Sequence, residues 1–420
     1  MPTIRQDQAG DPIQILTEYF DRDGWGITDL TATSFRWADV TGPVYTLGSM
    51  TVTGVNFVPN ALLGTIHSLK INPALIIPGQ PPYVPLEITG LNITVAQLLS
   101  ASLEGEEAVY DLLSDFAWTY QGSDGNDSFK GGNLADSIKL GDGDDTGYGG
   151  NGNDFLEGWA GNDKLYGGDG ADLFYGNTGN DTIYGDAGND VVYAAEDSDK
   201  VYGGSGVDTL YGEAGNDLLN GGTGADTMRG GTGNDIFYVD NSADQAIEAT
   251  GQGTDKVIST VSYSLAGQYI ETLDLTGSGN TNATGNKLNN VLDGNNGSNI
   301  LNGMAGKDTM TGQGGADRFV FDQALGASNV DTITDFNAPD DSIRIDNAVF
   351  VGLSTGNLSS AAFRANTTGN AADASDRIIY ETDTGELYFD RDGSGGTYQP
   401  ILFAILSNEE TISYRDFLVI

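Results

Sequence analysis

From Gly122 to Tyr238 the chain repeats itself every nine residues, thirteen times, without an insertion. The consensus is Gly-Gly-x-Gly-x-Asp-x-apolar-x, as in Gly149-Gly150-Asn151-Gly152-Asn153-Asp154-Phe155-Leu156-Glu157. The sixth position is Asp in every unit: Asp127, Asp136, Asp145, Asp154, Asp163, Asp172, Asp181, Asp190, Asp199, Asp208, Asp217, Asp226 and Asp235. The eighth is apolar in twelve of thirteen, Gly147 being the exception. A fixed short period means stacked identical units rather than a globular core. The glycines permit backbone angles that side chains forbid, so the first six residues are expected to form a tight turn. The last three are expected to form a short strand with its apolar residue inward. Two units make one coil, and coils stacked at roughly 4.8 Å give a rod about 30 Å long.

One apolar residue per unit is a thin core. It falls short of the ordering cost of about 1–2 kcal/mol per residue, so a further agent must hold the turns. The chain supplies a hint, with 60 acidic against 18 basic residues and a formal net charge of −42. Such a polyanion repels nucleic acid and anionic membrane and attracts cations. Asp carboxylates and turn carbonyls are hard oxygen donors that suit Ca²⁺, which takes 6–8 of them, better than the stricter Mg²⁺.

These nonapeptides resemble the RTX (repeats-in-toxin) family, whose fold is the parallel β-roll. The resemblance implies Ca²⁺ held between units eighteen residues apart. Carbonyls of positions 2 and 4 and the Asp of one unit face carbonyls of positions 1 and 3 and the Asp two units on. One such site would join Gly150, Gly152 and Asp154 to Gly167, Asp169 and Asp172. Thirteen units would take about eleven ions. The unit Ala194-Ala195-Glu196-Asp197-Ser198-Asp199 lacks its glycines, which puts its turn in question, and Gly147 leaves a gap in the core. A second array, Gly285 to Val320, has Asn290, Asn299, Asp308 and Asp317 at its sixth positions. The neutral Asn end is expected to bind weakly or not at all.

The expected organisation is a small α+β domain over 1–121, the β-roll over 122–238 and a β-rich connector over 239–284. The second array follows over 285–320, then a β-rich cap over 321–420. In the cap, Asp331–Phe336, Asp341–Ile345, Arg377–Tyr380 and Glu386–Phe389 alternate as strands do. The ending Asp416-Phe417-Leu418-Val419-Ile420 resembles the uncleaved C-terminal address of RTX proteins exported by type I secretion. Asp390-Arg391-Asp392-Gly393 has the form either of a Ca²⁺ loop or of a hairpin turn.

In the first 121 residues, Met50–Phe57, Thr65–Ile71 and Leu86–Ile93 read as strands, while Val95–Leu103 and Glu106–Tyr120 have helical spacing. Leu63–Leu69, Leu86–Ile93 and Ala108–Leu113 resemble the HasA-type secreted haem-binding proteins. That family holds haem through a His and a Tyr, with a second His supporting the Tyr. Here the Tyr position falls at Val52, the supporting His at Asn60, and the loop over 28–44 has no His. His67, the single histidine, falls on a strand, and Tyr45 is not at the matching place. The resemblance thus implies a shared fold, and a haem site is not expected.

No cysteine is present and there is one histidine, which excludes thiol nucleophiles, thiolate metal sites and two-histidine metalloprotease sites. There is no Gly-x-Ser-x-Gly elbow and no run of apolar residues long enough to span a membrane. The N-terminus lacks the apolar stretch of a secretory signal peptide. The reading is a non-enzymatic, extracellular calcium-binding protein that folds on meeting Ca²⁺. It would be a structural or adhesive component, self-associating or bound to surface glycan. The alternatives are a haem or ligand carrier and a small exported hydrolase.

Overall fold

The computed structural model describes residues 117–420 apart from 123. It also describes the backbone of four earlier strands, Ser49–Thr53, Asn56–Phe57, Gly64–Asn72 and Leu86–Thr94. Two compact units result, Met1–Trp159 and Ala160–Ile420.

In the first unit the four early strands form an antiparallel sheet in which Gly64–Asn72 pairs with the other three. They fall where alternation predicts strands, and His67 lies on Gly64–Asn72. The helix expected over Val95–Leu103, the loop over 28–44, Tyr45 and Asn60 lie outside the described residues. So does the helix expected over Glu106–Tyr120, as far as residue 116. Its end is not helical, because Thr119–Gln121 pairs in parallel with the start of Ser137–Asp142 and opens the stack. Ser128–Lys130 pairs likewise with Thr146–Asn151. Phe129 stacks on Tyr120 at 4.3 Å and meets Trp118 edge-on at 5.7 Å.

The second unit is a parallel β-solenoid. Alternate strands fall into two facing sheets. Lys164–Asp169, Thr182–Ala187, Lys200–Gly206 and Leu218–Gly224 follow one another in one. Leu173–Thr178, Val191–Glu196, Thr209–Ala214 and Thr227–Thr232 follow in the other. Each partner lies eighteen residues on, so identical repeat positions stack. The eighth positions, among them Leu165, Phe174, Ile183, Val192, Val201 and Leu210, are wholly buried between the sheets. The ninth positions form two outer ladders. Tyr166, Tyr184 and Tyr202 stack at 4.9 and 5.0 Å, and Tyr175, Tyr193 and Tyr211 at 5.0 and 4.8 Å. Each such pair contributes about 0.5–1.5 kcal/mol beyond its buried area.

The strands are longer than expected, and the turns shorter. Thr182–Ala187 runs from position 7 of one unit through position 3 of the next, burying both Ile183 and Gly185. The turn is left with positions 4 to 6. Position 1 is therefore a strand residue facing inward, and its glycine has a steric cause. A Cβ on Gly185 would lie 2.4 Å from the Asp190 carboxylate and 2.4 Å from the Gly203 carbonyl oxygen.

Positions 2 and 4 carry the left-handed backbone, as at Gly204 (φ +106°) and Gly206 (φ +139°). Ala195 and Asp197 adopt it without glycine, at φ +91° and +77°. The turn in question thus keeps its geometry, and Asp199 keeps its place in the stack.

Beyond residue 239 the coils continue. Ile236–Val239, Lys256–Ser259, Thr272–Leu275, Val291–Asp293, Thr309–Thr311 and Asp331–Ile333 extend the first sheet in parallel. Ala283–Thr284, Ile300–Asn302, Arg318–Phe321 and Ser342–Ile345 build a third sheet. The predicted cap strands form within residues 331–333, 342–345, 378–381 and 386–389. Ile401–Leu406 pairs with Asp331–Ile333 in parallel and with Glu386–Phe389 antiparallel. The final strand, Phe417–Val419, lies between Ser342–Ile345 and Gly356–Asn357. Phe321, Phe350, Phe389 and Phe403 meet edge-on at 5.0–5.3 Å within the cap.

An alanine in the left-handed region costs about 1–2 kcal/mol that glycine does not incur, partly offset by glycine's greater unfolded-state freedom. We therefore expect Ala195→Gly to raise the urea midpoint of the calcium-loaded protein by the equivalent of about 1 kcal/mol. An unchanged or lowered midpoint would show that this turn is relaxed as it stands.

Candidate metal centres

The sixth-position Asp side chains stand at the mouth of each turn, and every second one falls in the same row. Along one row Asp163, Asp181, Asp199 and Asp217 each donate a backbone N–H to the Oδ1 of the next Asp, at 2.7–2.9 Å. Along the other, Asp172, Asp190 and Asp208 do the same at 2.8 Å. In the first unit Asp127 donates to Asp145 and Asp136 to Asp154, at 2.6 and 2.7 Å. One oxygen of each accepting carboxylate is thus spent on the backbone ladder.

The other oxygen is the chemical problem. Asp181, Asp190, Asp199, Asp208, Asp217, Asp226 and Asp235 are each no more than 1% exposed. Their Oδ2 atoms have no hydrogen-bond partner among the described residues. Burial pushes Asp181, Asp190 and Asp217 up to about 7, with neighbouring carboxylates adding to it. Asp199 rises to about 8 for the same reasons. A buried anion with an unsatisfied oxygen and like charges above and below is unstable unless paired. A row of such anions fits a row of multivalent cations.

At Asp190, Asp208 and Asp217 the cradle around this oxygen is made of further oxygens. At Gly185, Gly203 and Gly212, a Cβ would lie 2.3–2.4 Å from the Oδ2 of its own unit's Asp. It would lie 2.4–2.7 Å from the position-1 carbonyl oxygen of the next coil. Carbonyls at positions 2 and 4 also face the following coil, as Asp186 O and Gly188 O face Gly204 and Gly206. The set of carboxylate and carbonyl oxygens suits Ca²⁺.

Of the site read from sequence, the first unit holds Gly150, Gly152 and Asp154. Both glycines are left-handed, and Asp154 is buried. The second unit holds Gly167 against the Asp172 carboxylate, with Asp169 in register with Ala187. Within the second unit a full counterpart runs from Gly168, Gly170 and Asp172 to Gly185, Ala187 and Asp190. There the Gly170 N–H donates to Ala187 O at 2.7 Å, which leaves that carbonyl a second lone pair.

In the second array the Asn positions satisfy themselves. Asn290 donates its amide to the Ile270 carbonyl at 3.0 Å and Asn299 to Thr281 at 2.6 Å. A donor points where a cation would need an acceptor. Asp308 and Asp317 are buried and keep the ladder, receiving N–H groups from Asn290 and Asn299 at 2.7 Å. Asp390 and Asp392 form a turn: Asp390 accepts from the Asp392 N–H, and Asp392 from Thr397 and Tyr398.

Further carboxylates continue the rows outside the perfect repeats. Asp244 accepts from Asp226, Asp255 from Asp235, Asp331 from Asp308 and Asp341 from Asp317, at 2.8–3.1 Å. A shorter signal marks them, an acid followed two residues later by a buried apolar residue. Asp255 with Val257, Asp331 with Ile333 and Asp341 with Ile343 all carry it.

The family model for the RTX calcium-binding nonapeptide repeat (4 copies) matches the chain in overlapping stretches across residues 121–245 and again at 284–319. No curated protein matches the chain. The matched stretches are the two arrays, and such repeats bind Ca²⁺. Bound there, Ca²⁺ would supply the positive charge that the buried carboxylates lack.

The raised carboxylates fix a sign for pH. Without cations the folded roll binds protons more tightly than the unfolded chain. Its stability is then fully present below about pH 4 and lost as pH rises through about 7–8. In chelator we expect β-structure near pH 5 to disappear by pH 9, followed by far-UV circular dichroism. Calcium affinity should fall as pH drops from 8 to 6, since protons compete for the same oxygens. Equal affinity across that range would contradict the assignment.

Proposed function

We propose that this chain, an RTX-type protein carrying calcium-binding repeats, is an exported structural or adhesive component that assembles once calcium has folded it. The observation that carries this reading is the extent of the buried carboxylate rows. Asp163 to Asp235 form an unbroken ladder, and the unsatisfied oxygens of Asp181, Asp199, Asp217 and Asp235 make the cation part of the fold.

In a compartment poor in Ca²⁺, the like charges hold the arrays open, in a state suited to export. At millimolar Ca²⁺ outside, binding to the folded state alone pulls the equilibrium over. The C-terminal region, taken as the type I address, also closes the solenoid through Ile401–Leu406 and Phe417–Val419. It is therefore suited to start folding from the end that emerges first.

An assembly role is supported by the stacked sheets, whose half-buried tyrosine ladders and acidic faces repeat along the coils. Repeating faces favour self-association or binding to a repeating surface such as glycan. The whole sequence has one histidine and no cysteine, which narrows the scope for a hydrolase.

Electron microscopy of the purified full chain, titrated from chelator to millimolar calcium, tests this. We expect ordered filaments or sheets that appear with calcium and dissolve on chelation. Folded, dispersed monomers at every calcium concentration would refute the assembly role.

A further inference from the structure

The first array ends in a cluster that no nonapeptide provides. Asp235, Glu248 and Asp255 each place a carboxylate oxygen within 4.8 Å of the others, and all three side chains are buried. Asp235 is the last sixth-position Asp, whereas Glu248 and Asp255 lie beyond the matched stretch that ends at 245. Asp235 Oδ2, Glu248 Oε2 and Asp255 Oδ2 have no hydrogen-bond partner among the described residues.

The partner oxygens hold the group in place. Asp235 Oδ1 accepts from the Asp217 N–H at 2.8 Å, Asp255 Oδ1 from Asp235 at 2.9 Å, and Glu248 Oε1 from Gly231 at 3.2 Å. Lys256, next to Asp255, pairs instead with Asp274.

The register explains why a glutamate stands there. In the regular coils, the space above each position-1 glycine is shared by its own Asp and the position-1 carbonyl of the next coil, as at Gly212 by Asp217 and Gly230 O. Counting eighteen residues from Gly230 reaches Glu248. A Cβ on Gly230 would meet Asp235 Oδ2 at 2.3 Å and Glu248 Oε1 at 2.1 Å. The glutamate side chain thus reaches back to put a carboxylate oxygen where regular coils put a carbonyl.

We propose that Asp235, Glu248 and Asp255 form a three-carboxylate divalent-cation site, outside the nonapeptide pattern, that binds Ca²⁺ and closes the first array. With one more negative charge than a two-aspartate site it should bind more tightly, since ligand charge raises Ca²⁺ affinity. It rests on the calcium reading of the repeats only for the identity of the ion.

The test is the number of calcium ions bound per full-length chain, by equilibrium dialysis, for the unaltered protein and Glu248→Gln. Glutamine keeps the volume and the acceptor for Gly231 while removing the charge. We expect the variant to bind one ion fewer and to lose the tightest phase, with the other sites unchanged. Equal stoichiometry and equal affinity would overturn the site while leaving the repeats' sites intact. Failure of the unaltered chain to bind calcium would overturn both.

Should Glu248→Gln not fold, the unaltered chain provides a second test: amide exchange across 230–256 during stepwise calcium addition. Protection there at lower calcium than in the rest of the array supports the site. Protection arriving with or after the array overturns it.

Discussion

From Asp181 to Asp235 each nonapeptide buries a carboxylate whose second oxygen has no donor among the described residues, and the rest of the architecture is arranged around that fact. Packing alone is a weak force here, because a unit contributes one fully buried side chain such as Ile183 or Val192. Hydrogen bonding is well served by the ladders of N–H to Oδ1 along each row. What those ladders cannot do is neutralise the anions they line up. On the proposed reading, cation binding and folding are one process, with binding energy standing in for the missing core.

The nonapeptide divides this work among its positions. Position 8 fills the space between sheets. Position 1 stays small because the Asp carboxylate and the next coil's carbonyl occupy the volume a side chain would need, as at Gly203. Positions 2 and 4 turn the chain through left-handed angles so that their carbonyls face the following coil. The unit at 194–199 shows the order of importance. It surrenders glycine at positions 1, 2 and 4, burying no more than a methyl at Ala194 and accepting the strain at Ala195, yet it retains Asp199 in the ladder.

Much of this was legible in the sequence because the spacing carries it. Asp at every sixth position and an apolar residue at every eighth prescribe the rows and the core, and the strands of the cap follow from alternation. The extent of the turn was not legible. In sequence, glycine points to bending throughout, whereas Gly185 is a strand residue kept small by a neighbour eighteen residues away.

Acids beyond the arrays were missed for a related reason. Asp255, Asp331 and Asp341 sit 20, 23 and 24 residues after the Asp they pair with, so a nine-residue ruler passes over them. The acid-x-apolar triplet finds them, because insertions fall in the turns while the triplet holds the ladder and the core. Glu248 needed the structure, since its carboxylate replaces a backbone atom.

The dependence of fold on cation is tested most directly by hydrogen exchange at the ladder amides of Asp163 to Asp235. Exchange would be compared at pH 8 in excess calcium and in excess chelator. Protection with calcium that collapses along the whole ladder in chelator is the expected result. Equal protection in both would mean that the buried carboxylates are tolerated without a cation, and would contradict the central claim.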